Sequence, residues 1–303
     1  MTLPIGRFAP TPSGALHFGS LVAALASYCD VRSQRGHWLL RIEDVDTPRV
    51  VAGASDQILR DLEAFGFEWD GPVLYQSDCF EHYQYYLEQL LRQGDCYACQ
   101  CSRKTLREQS VPSGLLGQIY PGNCRHKALA ERGCSLRLNT AAAGEIGFHD
   151  RVYGYFSLRL EESVGDFVLR RSDDIFAYHL AVVVDDELQG VTQIVRGADL
   201  LENTCLHLYL QQRLGFATPS YLHLPLVNNP DGIKLSKQTG ANPVDHRNAS
   251  QLLLAALRHL GQAVPAELEI DSPASLLQWS CDHWDPSRIT PGPAAPGTQN
   301  FTG

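Results

Sequence analysis

The sequence predicts an α/β fold with a parallel, doubly wound sheet, and three observations lead to this prediction. Short apolar strands alternate with amphipathic helices from residue 5 to residue 92, in the order β-α-β-α-β-α. The alternation breaks near Cys96 and resumes near Ile175, which predicts an insertion with its own small core. The chain has 303 residues, 44% of them hydrophobic and 19% charged, which is enough for a sizeable core.

Hydrophobic periodicity and turn residues define the individual elements. Residues 5–9 are apolar and precede Pro-Thr-Pro-Ser-Gly, which is typical of a buried strand that ends in a turn. The predicted strands are 5–9, 37–42, 73–76, 153–160, 175–184, 191–195 and 222–227, and the predicted helices are 21–31, 55–65, 80–92, 200–214 and 250–260. The tail from Asp285, rich in Pro, Gly and Thr, is predicted to be disordered.

Composition and charge exclude several classes of protein. The sequence has no apolar run of about 18 residues, and its first residues lack the basic start and apolar stretch of a signal peptide. We therefore expect a cytoplasmic protein with no membrane partner. The formal net charge of −9 disfavours a protein that coats nucleic acid non-specifically. It permits a local basic groove, because counterion release depends on the contacts made.

The nine cysteines divide into one cluster and five scattered thiols. Their odd number and uneven spacing are not typical of a disulfide framework. Four lie between Cys96 and Cys124, where the clustering favours a metal site. The remaining five are expected to be ordinary buried thiols: Cys29, Cys79, Cys134, Cys205 and Cys281.

The first motif with chemical meaning is residues 7–20, RFAPTPSGALHFGS, which join the first strand to the first helix. Backbone N–H groups at a helix N-terminus attract phosphate, and Gly14 and Gly19 allow a nucleotide to approach the backbone closely. His17 can donate a hydrogen bond to a phosphate oxygen that develops negative charge. Alone, His-x-Gly is more often a βα turn with a surface histidine.

The second motif is residues 234–238, KLSKQ, in a predicted loop after Asp231 and Gly232. Lys234 and Lys237 are three residues apart, so together they can clamp a triphosphate and neutralise charge as pyrophosphate leaves. Alone, such a run is more often a solvated charged loop. The two motifs bracket the α/β pattern and its insertion, and this combination is much more specific than either motif.

Together the motifs resemble the signatures of the class I aminoacyl-tRNA synthetases, His-Ile-Gly-His and Lys-Met-Ser-Lys-Ser. Two replacements occur in the first motif, Phe18 for Ile and Ser20 for the second His. Two more occur in the second, Leu235 for Met and Gln238 for the last Ser. The missing second histidine weakens the case for phosphate stabilisation without removing it.

Two longer runs narrow the resemblance. Residues 7–14 (RFAPTPSG) and 41–49 (RIEDVDTPR) are similar to the glutamyl-tRNA synthetase subgroup, and a looser similarity extends from about Ile5 to about Pro243. The resemblance implies a Rossmann-type sheet and the activation of L-glutamate by ATP with Mg²⁺. It assigns catalysis to His17, Lys234 and Lys237, and ATP binding to His17, Gly19 and Lys237.

The resemblance also implies the glutamate pocket. An Arg guanidinium pairs bidentately with a carboxylate, and in this assignment Arg7 and Arg196 bind the two carboxylates of glutamate. Glu43 accepts the α-ammonium, and Tyr178 contributes its hydroxyl from the strand predicted at 175–184. The alternative for Arg7 and Glu43 is a structural ion pair. The other pocket residues lie at the end of the first strand and directly after it: Phe8, Ala9, Pro10 and Thr11.

The clustered cysteines predict one structural zinc ion per chain. Cys99, Cys101 and Cys124 lie within a Gly-containing stretch that lacks a strong apolar pattern, which favours a tetrahedral site. Three cysteines are one ligand short, and by spacing Cys96 or His126 is the natural fourth. The family resemblance points instead to the phenolic oxygen of Tyr120. Free thiols without metal are the alternative.

The domain organisation follows from these assignments. We predict the first half of a Rossmann-type catalytic domain at 1–95, an inserted acceptor-binding zinc subdomain at 96–174, and the second half with its KLSKQ loop at 175–243. A small helical module and a disordered tail occupy 244–303. Only residues 238–303 follow Lys237, which leaves no room for a large helical anticodon-binding domain.

In its short C-terminal part the chain resembles the glutamyl-queuosine tRNA(Asp) synthetases. These enzymes attach glutamate to the queuosine base in the anticodon of tRNA(Asp). The resemblance therefore implies L-glutamate, ATP and queuosine-containing tRNA(Asp) as partners. The alternatives are a discriminating glutamyl-tRNA synthetase without its anticodon-binding domain, a non-catalytic tRNA-binding paralogue, and a small nucleotidyltransferase. The joint presence of Arg7, His17, Glu43 and Lys237 argues against a paralogue that has lost catalysis.

Overall fold

A seven-stranded sheet forms the centre of the computed structural model, which describes residues 2–108, 112–227, 243–266, 268 and 272–292. The strand order is β3-β2-β1-β11-β12-β8-β9, and every neighbouring pair is parallel except β8 and β9. The strands of this sheet are β1 (Ile5–Phe8), β2 (His37–Ile42), β3 (Leu74–Tyr75), β8 (Glu145–Asp150), β9 (Gly154–Arg159), β11 (Gln193–Gly197) and β12 (Ser220–Leu224).

Helices cover both faces of this sheet, as the doubly wound prediction requires. One buried cluster packs α1, α2, α8 and α9 on one face, and a second packs α3, α6 and α7 on the other. The helices of the described residues are α1 (Phe18–Arg32), α2 (Ala54–Ala64), α3 (Phe80–Gln93), α4 (Arg103–Glu108), α5 (Leu160–Ser163), α6 (Tyr178–Leu188), α7 (Leu201–Leu214), α8 (Ala249–His259) and α9 (Pro273–Asp282). Helices α3 and α7 each end at a left-handed glycine, Gly94 and Gly215, where a side chain would be strained.

A smaller three-stranded antiparallel sheet lies beside the main sheet, in the order β10-β7-β4. Its strands are β4 (Cys96–Cys99), β7 (Ser135–Leu138) and β10 (Val168–Arg170), and a short hairpin of β5 (Ser113–Gly114) and β6 (Gly117–Gln118) lies between them in sequence. The segment predicted as an insertion, 96–174, therefore contributes to two sheets. Its middle part, β8 and β9, extends the main sheet, because Tyr221 of β12 pairs with Asp150 of β8.

The strand predicted at 175–184 is wrong, because this segment forms helix α6. Its run of three valines has high strand propensity, but the helix is buried on nearly every side, from His179 to Asp186. A short apolar run of this kind has the same periodicity in a buried strand and in a buried helix. Tertiary burial therefore decided the conformation.

The C-terminal part is more ordered than predicted up to residue 292. Helix α9 packs against α1 and α8, and a 3-10 turn at Pro286–Arg288 follows it. Ile289 is buried, and the backbone N–H of Gly292 donates to the hydroxyl of Tyr153. The prediction of disorder from Asp285 is wrong for these residues, and residues 293–303 lie outside the described part. In that described part, no helix is long and apolar enough to cross a membrane.

Candidate active site

The predicted pocket residues meet at the carboxyl edge of the main sheet. Arg7 lies near the end of β1, Glu43 directly follows β2, and Arg196 lies near the end of β11. From β1 the chain continues to β2 and β3 on one side, whereas β11 and β12 lie on the other. The boundary between β1 and β11 is therefore a topological switch point, where open α/β sheets leave a crevice for ligands.

Arg7 is paired with a carboxylate of helix α6. Its Nε donates to Oδ1 of Asp186 over 3.0 Å, and the same oxygen accepts from Nη2 of Arg41 over 2.7 Å. All three side chains are buried. Burial by itself raises the pKa of Asp186, but the guanidiniums of Arg7 and Arg41 lower it below its usual value. The direct ionic partner of Arg7 is thus Asp186, and Glu43 is not its structural counter-ion.

Arg41 extends this network away from the pocket. Its Nη1 donates to Oε1 of Gln189 over 2.7 Å, and its Nε lies 3.8 Å from Oδ2 of Asp185. Asp185 in turn accepts from the hydroxyl of Tyr83 at 2.9 Å and from Nε2 of Gln76 at 2.7 Å. Asp185 and Asp186 of α6 therefore accept hydrogen bonds from four other elements: β1, β2, the 3-10 turn at Gln76–Asp78, and α3.

Glu43 is buried, and among the described residues its one ion pair is a long one. Its carboxylate lies 3.8 Å from Nη2 of Arg41, and 8% of the residue is exposed. Burial raises the pKa of Glu43 to about 7, although Arg41 and Arg7 lower it. Its backbone N–H donates to the carbonyl of Pro10, which joins the loop after β2 to the loop after β1. A ligand cation at this carboxylate would relieve the cost of burying it.

Tyr178 begins helix α6 and faces the same pocket. Burial raises the pKa of its phenol to about 12; the charge of Glu43 adds to this shift, and Arg196 and Arg7 oppose it. The prediction of its strand was wrong, but the helix N-terminus brings Tyr178 to the carboxyl edge of the sheet, where it lines the same groove as Glu43. Arg7 and Arg196 are buried and do not line this groove, although their charges act on the phenol.

Arg196 has different surroundings from Arg7. Its Nη2 donates to Oγ1 of Thr204 over 2.7 Å, its Nη1 and Nη2 each lie 3.2 Å from Nδ1 of His207, and its Nε donates to Nε2 of His223 over 3.2 Å. The guanidinium carbon lies 5.6 Å from the ring centroid of Tyr221. Among the described residues no carboxylate lies within ion-pair distance of Arg196.

Residues 8–11, at the end of β1 and directly after it, contribute to the site in different ways. Phe8 points into the core, where it stacks on Trp38 with a centroid distance of 6.2 Å, so its contribution to a pocket is through the backbone. Ala9 is half-buried, and the carbonyl of Pro10 accepts from the backbone N–H of Glu43. Thr11 lines a groove at this edge of the sheet.

The first signature motif forms the N-terminus of α1. His17 is the N-cap, and its Nδ1 accepts from the backbone N–H of Ser20 over 3.3 Å. The proton of the neutral ring is then on Nε2, which is the donor that a phosphate oxygen needs. Gly19 is half-buried in the first turn, and Gly14 has a φ of 141°, which favours glycine.

The second signature motif lies outside the described residues, including Lys234 and Lys237. Its flanks are placed, however. Residue 227 follows the carboxyl end of β12, and Pro243 pairs with His17 in an isolated antiparallel bridge. The backbone N–H of Val244 also donates to the carbonyl of Leu16 over 2.9 Å. The described residues on either side of segment 228–242 therefore lie at the sheet edge that carries the first motif.

A groove of about 1190 Å³ connects the pocket with the smaller sheet. Thr11, Glu43 and Tyr178 line one end, and Cys101 and Ser102 line the other. Its lining also includes four arginines, Arg49, Arg107, Arg137 and Arg171, and the carboxylates Asp46, Asp166 and Asp173. Arg49 pairs with Asp46 and Arg171 with Asp173, which partly neutralises the groove.

The predicted cysteine cluster forms at the far end of this groove. The three Sγ atoms of Cys99, Cys101 and Cys124 lie within 4.8 Å of one another. The hydroxyl of Tyr120 is 3.2 Å from the sulfur of Cys99 and 3.6 Å from that of Cys101, and Arg137 stacks 4.0 Å above its ring. Within the part of the chain that the structure describes, neither of the alternative fourth ligands, Cys96 and His126, joins the group. Four donor atoms thus converge in a largely buried position.

Several residues of the site were not predicted from the sequence. For two of them, Asp185 and Asp186, a local signal was present. The pair Asp185 and Asp186 interrupts an apolar run, and buried carboxylates of this kind require partners. The remaining members carried no such signal, because they become neighbours only in the folded chain: Arg41, Asp150, Thr204, His207 and His223.

Three features are typical of a class I aminoacyl-tRNA synthetase catalytic domain: the crevice at the switch point, the His-x-Gly turn at His17, and the arginines Arg7 and Arg196 at the ends of neighbouring strands. Residues 5–271 match the family model described as tRNA synthetases class I (E and Q), catalytic domain, and the chain belongs to this family. It is therefore a ligase of the aminoacyl-tRNA-synthetase type.

Curated relatives narrow the comparison within this family. A glutamyl-Q tRNA(Asp) synthetase from Ectopseudomonas mendocina (strain ymp) is 53% identical over 290 residues, with 95% of each chain covered. Proteins of the same name from Dechloromonas aromatica (strain RCB) and from Pseudomonas aeruginosa are each 52% identical, over 92% and 94% of this chain and 93% and 94% of their own lengths.

Solved structures agree with the fold. A glutamate tRNA ligase from Elizabethkingia meningosepticum, in complex with its amino acid, superposes with a TM-score of 0.78 at 26% identity. The match covers 95% of this chain and 66% of that one. A methionyl-tRNA synthetase from Mycobacterium tuberculosis, in complex with methionyl-adenylate, has a TM-score of 0.58 at 13% identity, with 88% of this chain and 67% of that one covered, and it shares the fold.

Proposed function

We propose that the chain activates L-glutamate with ATP and transfers the glutamyl group to the queuosine base of tRNA(Asp). The observation that carries the first half is the convergence of two guanidiniums and one carboxylate at the switch point of the sheet. Glutamate carries two carboxylates and one ammonium, so its charges complement those of the pocket. The names of the curated relatives support the second half.

In this assignment each pocket residue has one role. Arg7 binds one carboxylate of glutamate and Arg196 binds the other, the side-chain carboxylate. Glu43 accepts the α-ammonium, which supplies the close counter-ion that the carboxylate lacks. Tyr178 contributes a neutral hydroxyl, because a phenol with a pKa of about 12 stays protonated near neutral pH.

Activation needs positioning and charge stabilisation rather than a protein nucleophile. The α-carboxylate oxygen of glutamate attacks the α-phosphorus of ATP, and the bond to the leaving pyrophosphate breaks. His17 donates from Nε2 to a phosphate oxygen, and Gly19 permits close approach of the nucleotide. Lys234 and Lys237 neutralise charge on the leaving pyrophosphate, and Mg²⁺ bound to ATP screens the phosphates.

Transfer requires an acceptor hydroxyl near the adenylate. The hydroxyl oxygen of queuosine attacks the carbonyl carbon of glutamyl-adenylate, and AMP leaves. The groove that begins at Glu43 and Tyr178 is lined by arginines and is continuous with the pocket, so it can receive a splayed loop base. Segment 96–174 would then supply part of the tRNA-binding surface, and a protein that acts on tRNA is expected in the cytoplasm.

The four donor atoms of the cysteine cluster fit a zinc ion. Tetrahedral zinc with sulfur ligands at about 2.3 Å separates those sulfurs by about 3.8 Å. The sulfurs of Cys101 and Cys124 are 3.6 Å apart, and the phenol of Tyr120 lies at similar distances. Cys99, Cys101, Tyr120 and Cys124 would bind one structural zinc ion, which orders the loops around them.

One experiment tests this function and separates it from its alternatives. ATP–pyrophosphate exchange is measured with glutamate, and glutamate transfer is measured with tRNA(Asp) with queuosine, without queuosine, and with its 3′ end removed. We expect exchange with glutamate, and transfer that requires queuosine but survives loss of the 3′ end. Charging of unmodified tRNA(Glu) at its terminal ribose would indicate an ordinary glutamyl-tRNA synthetase. Absence of exchange with any amino acid would indicate a non-catalytic paralogue.

A further inference from the structure

Among the described residues, the hydrogen-bond partners of the buried Arg196 side chain carry no charge. Three side chains on two other elements contact its guanidinium: Thr204 and His207 from α7, and His223 from β12. All four residues are buried, with at most 5% of any of them exposed. A guanidinium has five N–H donors and no acceptor, so every one of these contacts requires an acceptor on the partner.

This requirement determines the tautomers of the two histidines. His207 must present a lone pair at Nδ1, so its proton is on Nε2, which lies 3.1 Å from Nδ1 of His179. His223 must present a lone pair at Nε2, so its proton is on Nδ1, which donates to Oδ2 of Asp150 over 2.7 Å. The carboxylate of Asp150 therefore orients His223, and His179 completes the orientation of His207.

The backbone anchors this arrangement further. Oδ1 of Asp150 accepts from the backbone N–H groups of Val152 and Tyr153, each over 2.9 Å, and Oδ2 also accepts from the N–H of His223. His179 lines the groove, so this chain of hydrogen bonds extends from Arg196 through His207 to the groove. A protonated His207 or His223 would direct an N–H at the guanidinium, and burial together with the charge of Arg196 opposes that state.

We propose that His207 and His223 are positioning residues that orient Arg196 toward the side-chain carboxylate of glutamate and leave its charge uncompensated. This inference rests on the proposed role of Arg196. Neutral acceptors orient the guanidinium without cancelling its charge, whereas a carboxylate in their place would satisfy it internally. An uncompensated buried cation then favours a carboxylate over the neutral amide of glutamine.

The test measures ATP–pyrophosphate exchange with glutamate and with glutamine for wild type and His207→Phe. Phenylalanine retains the ring and removes the acceptor. Loss of one hydrogen bond to a charged group is expected to raise the KM for glutamate by about 10–100-fold and to lower the preference for glutamate over glutamine. The KM for ATP should not change. His207→Asn, whose amide oxygen can accept near the Nδ1 position, should restore most of the loss.

A second variant tests the same role independently of His207, and a control variant tests whether any change in α7 has the same effect. Thr204→Val is nearly isosteric and removes the acceptor at 2.7 Å, so it should shift the KM for glutamate in the same direction even if His207→Phe does not fold. Tyr209→Phe deletes a buried hydroxyl of the same helix that bonds to the carbonyl of Asn139, and it should leave both KM values unchanged.

The outcomes separate this inference from the proposed function. If Arg196→Ala loses the preference for glutamate but folded His207→Phe and Thr204→Val keep it, the positioning role is wrong and the pocket assignment stands. Equal changes in the KM for glutamate and for ATP would show a merely structural role and overturn the inference. If wild-type protein shows no exchange with glutamate, the proposed function fails, and the inference fails with it.

Discussion

The pocket at the sheet edge and the cysteine cluster both bury polar side chains, but they satisfy them differently. In the pocket, Asp186 bonds to two guanidiniums, and Asp185 accepts from Tyr83 and Gln76. In the cluster, three thiols and the phenol of Tyr120 contact one another, and the backbone N–H groups of Cys101 and Cys124 donate to Cys99 and Tyr120. Thiols are weak partners in hydrogen bonds, so their mutual contacts provide little free energy.

The pocket and the cysteine cluster therefore differ in what stabilises their geometry. The pocket is held by groups that the chain itself provides, so its geometry should not depend on a metal. In the proposed zinc assignment, the cluster would gain its full stability only when a cation binds the four donor atoms, which would couple metal binding to folding of the surrounding loops. Four predictions test this contrast, from the largest expected effect to the smallest.

Asp186→Asn should cause the largest effect. Removal of this buried carboxylate takes the close ionic partner from Arg7 and leaves Arg41 with only Asp185 and Glu43, each at 3.8 Å. Loss of one partner of a buried ion pair costs about 3–5 kcal/mol in the free energy of unfolding. Urea denaturation measures the loss, which should be the same with and without a chelator. The matched control Asp173→Asn removes an exposed partner of Arg171 and should cost less than about 1 kcal/mol. Equal losses for both variants would contradict the role of the network.

Lys237→Ala should lower the rate of ATP–pyrophosphate exchange by about 10²–10³-fold, as for the loss of one key electrostatic donor. Metal content and the free energy of unfolding should not change, because the role proposed for Lys237 is to neutralise charge on the leaving pyrophosphate. Lys127→Ala is the control, since Lys127 is an exposed lysine near Cys124. An unchanged exchange rate in Lys237→Ala would refute the role of the second motif.

The KM for glutamate should depend on pH through Glu43. Because burial raises the pKa of its carboxyl to about 7, the group is charged above this pH and protonated below it. Only the charged form can accept the α-ammonium, so glutamate binding releases a proton below pH 7. The KM should rise roughly tenfold between pH 8 and pH 6.

The comparison variant for this pH dependence is Glu43→Gln, which has no carboxylate to titrate. It should have a higher KM for glutamate at pH 8 than wild type, and little further rise toward pH 6. The KM for ATP, measured over the same range, should not follow the same curve. A wild-type KM for glutamate that is constant from pH 8 to pH 6 would rule out Glu43 as the acceptor of the ammonium.

Cys124→Ser should have the smallest effect on activation. Zinc content, measured by metal analysis, should fall well below the expected value of about one per chain, and tRNA transfer should decrease more than ATP–pyrophosphate exchange. Cys134→Ser is the matched control, because Cys134 is half-buried in the same region and lies outside the cluster. The absence of zinc from wild-type protein purified without chelator would exclude the metal site.

The sequence by itself determined the features that depend on near neighbours. Strand β2 was predicted with its observed bounds, His37–Ile42, and the helices at 55–65 and 80–92 within one residue of theirs, because periodicity records which face of an element is buried. The runs at 7–20 and 41–49 pointed to Arg7, His17 and Glu43 through the family resemblance that they carry, and all three lie at the carboxyl edge of the main sheet.

The tertiary structure decided what depends on distant partners. Arg7 and Asp186 are 179 residues apart, and His223 and Asp150 are 73 apart, so no local pattern could pair them. Helix α6 was mistaken for a strand because complete burial gives an apolar run in either conformation. Local interactions specify which residues are apolar and where turns occur, whereas the pairing of buried charges is determined only when folding removes them from water.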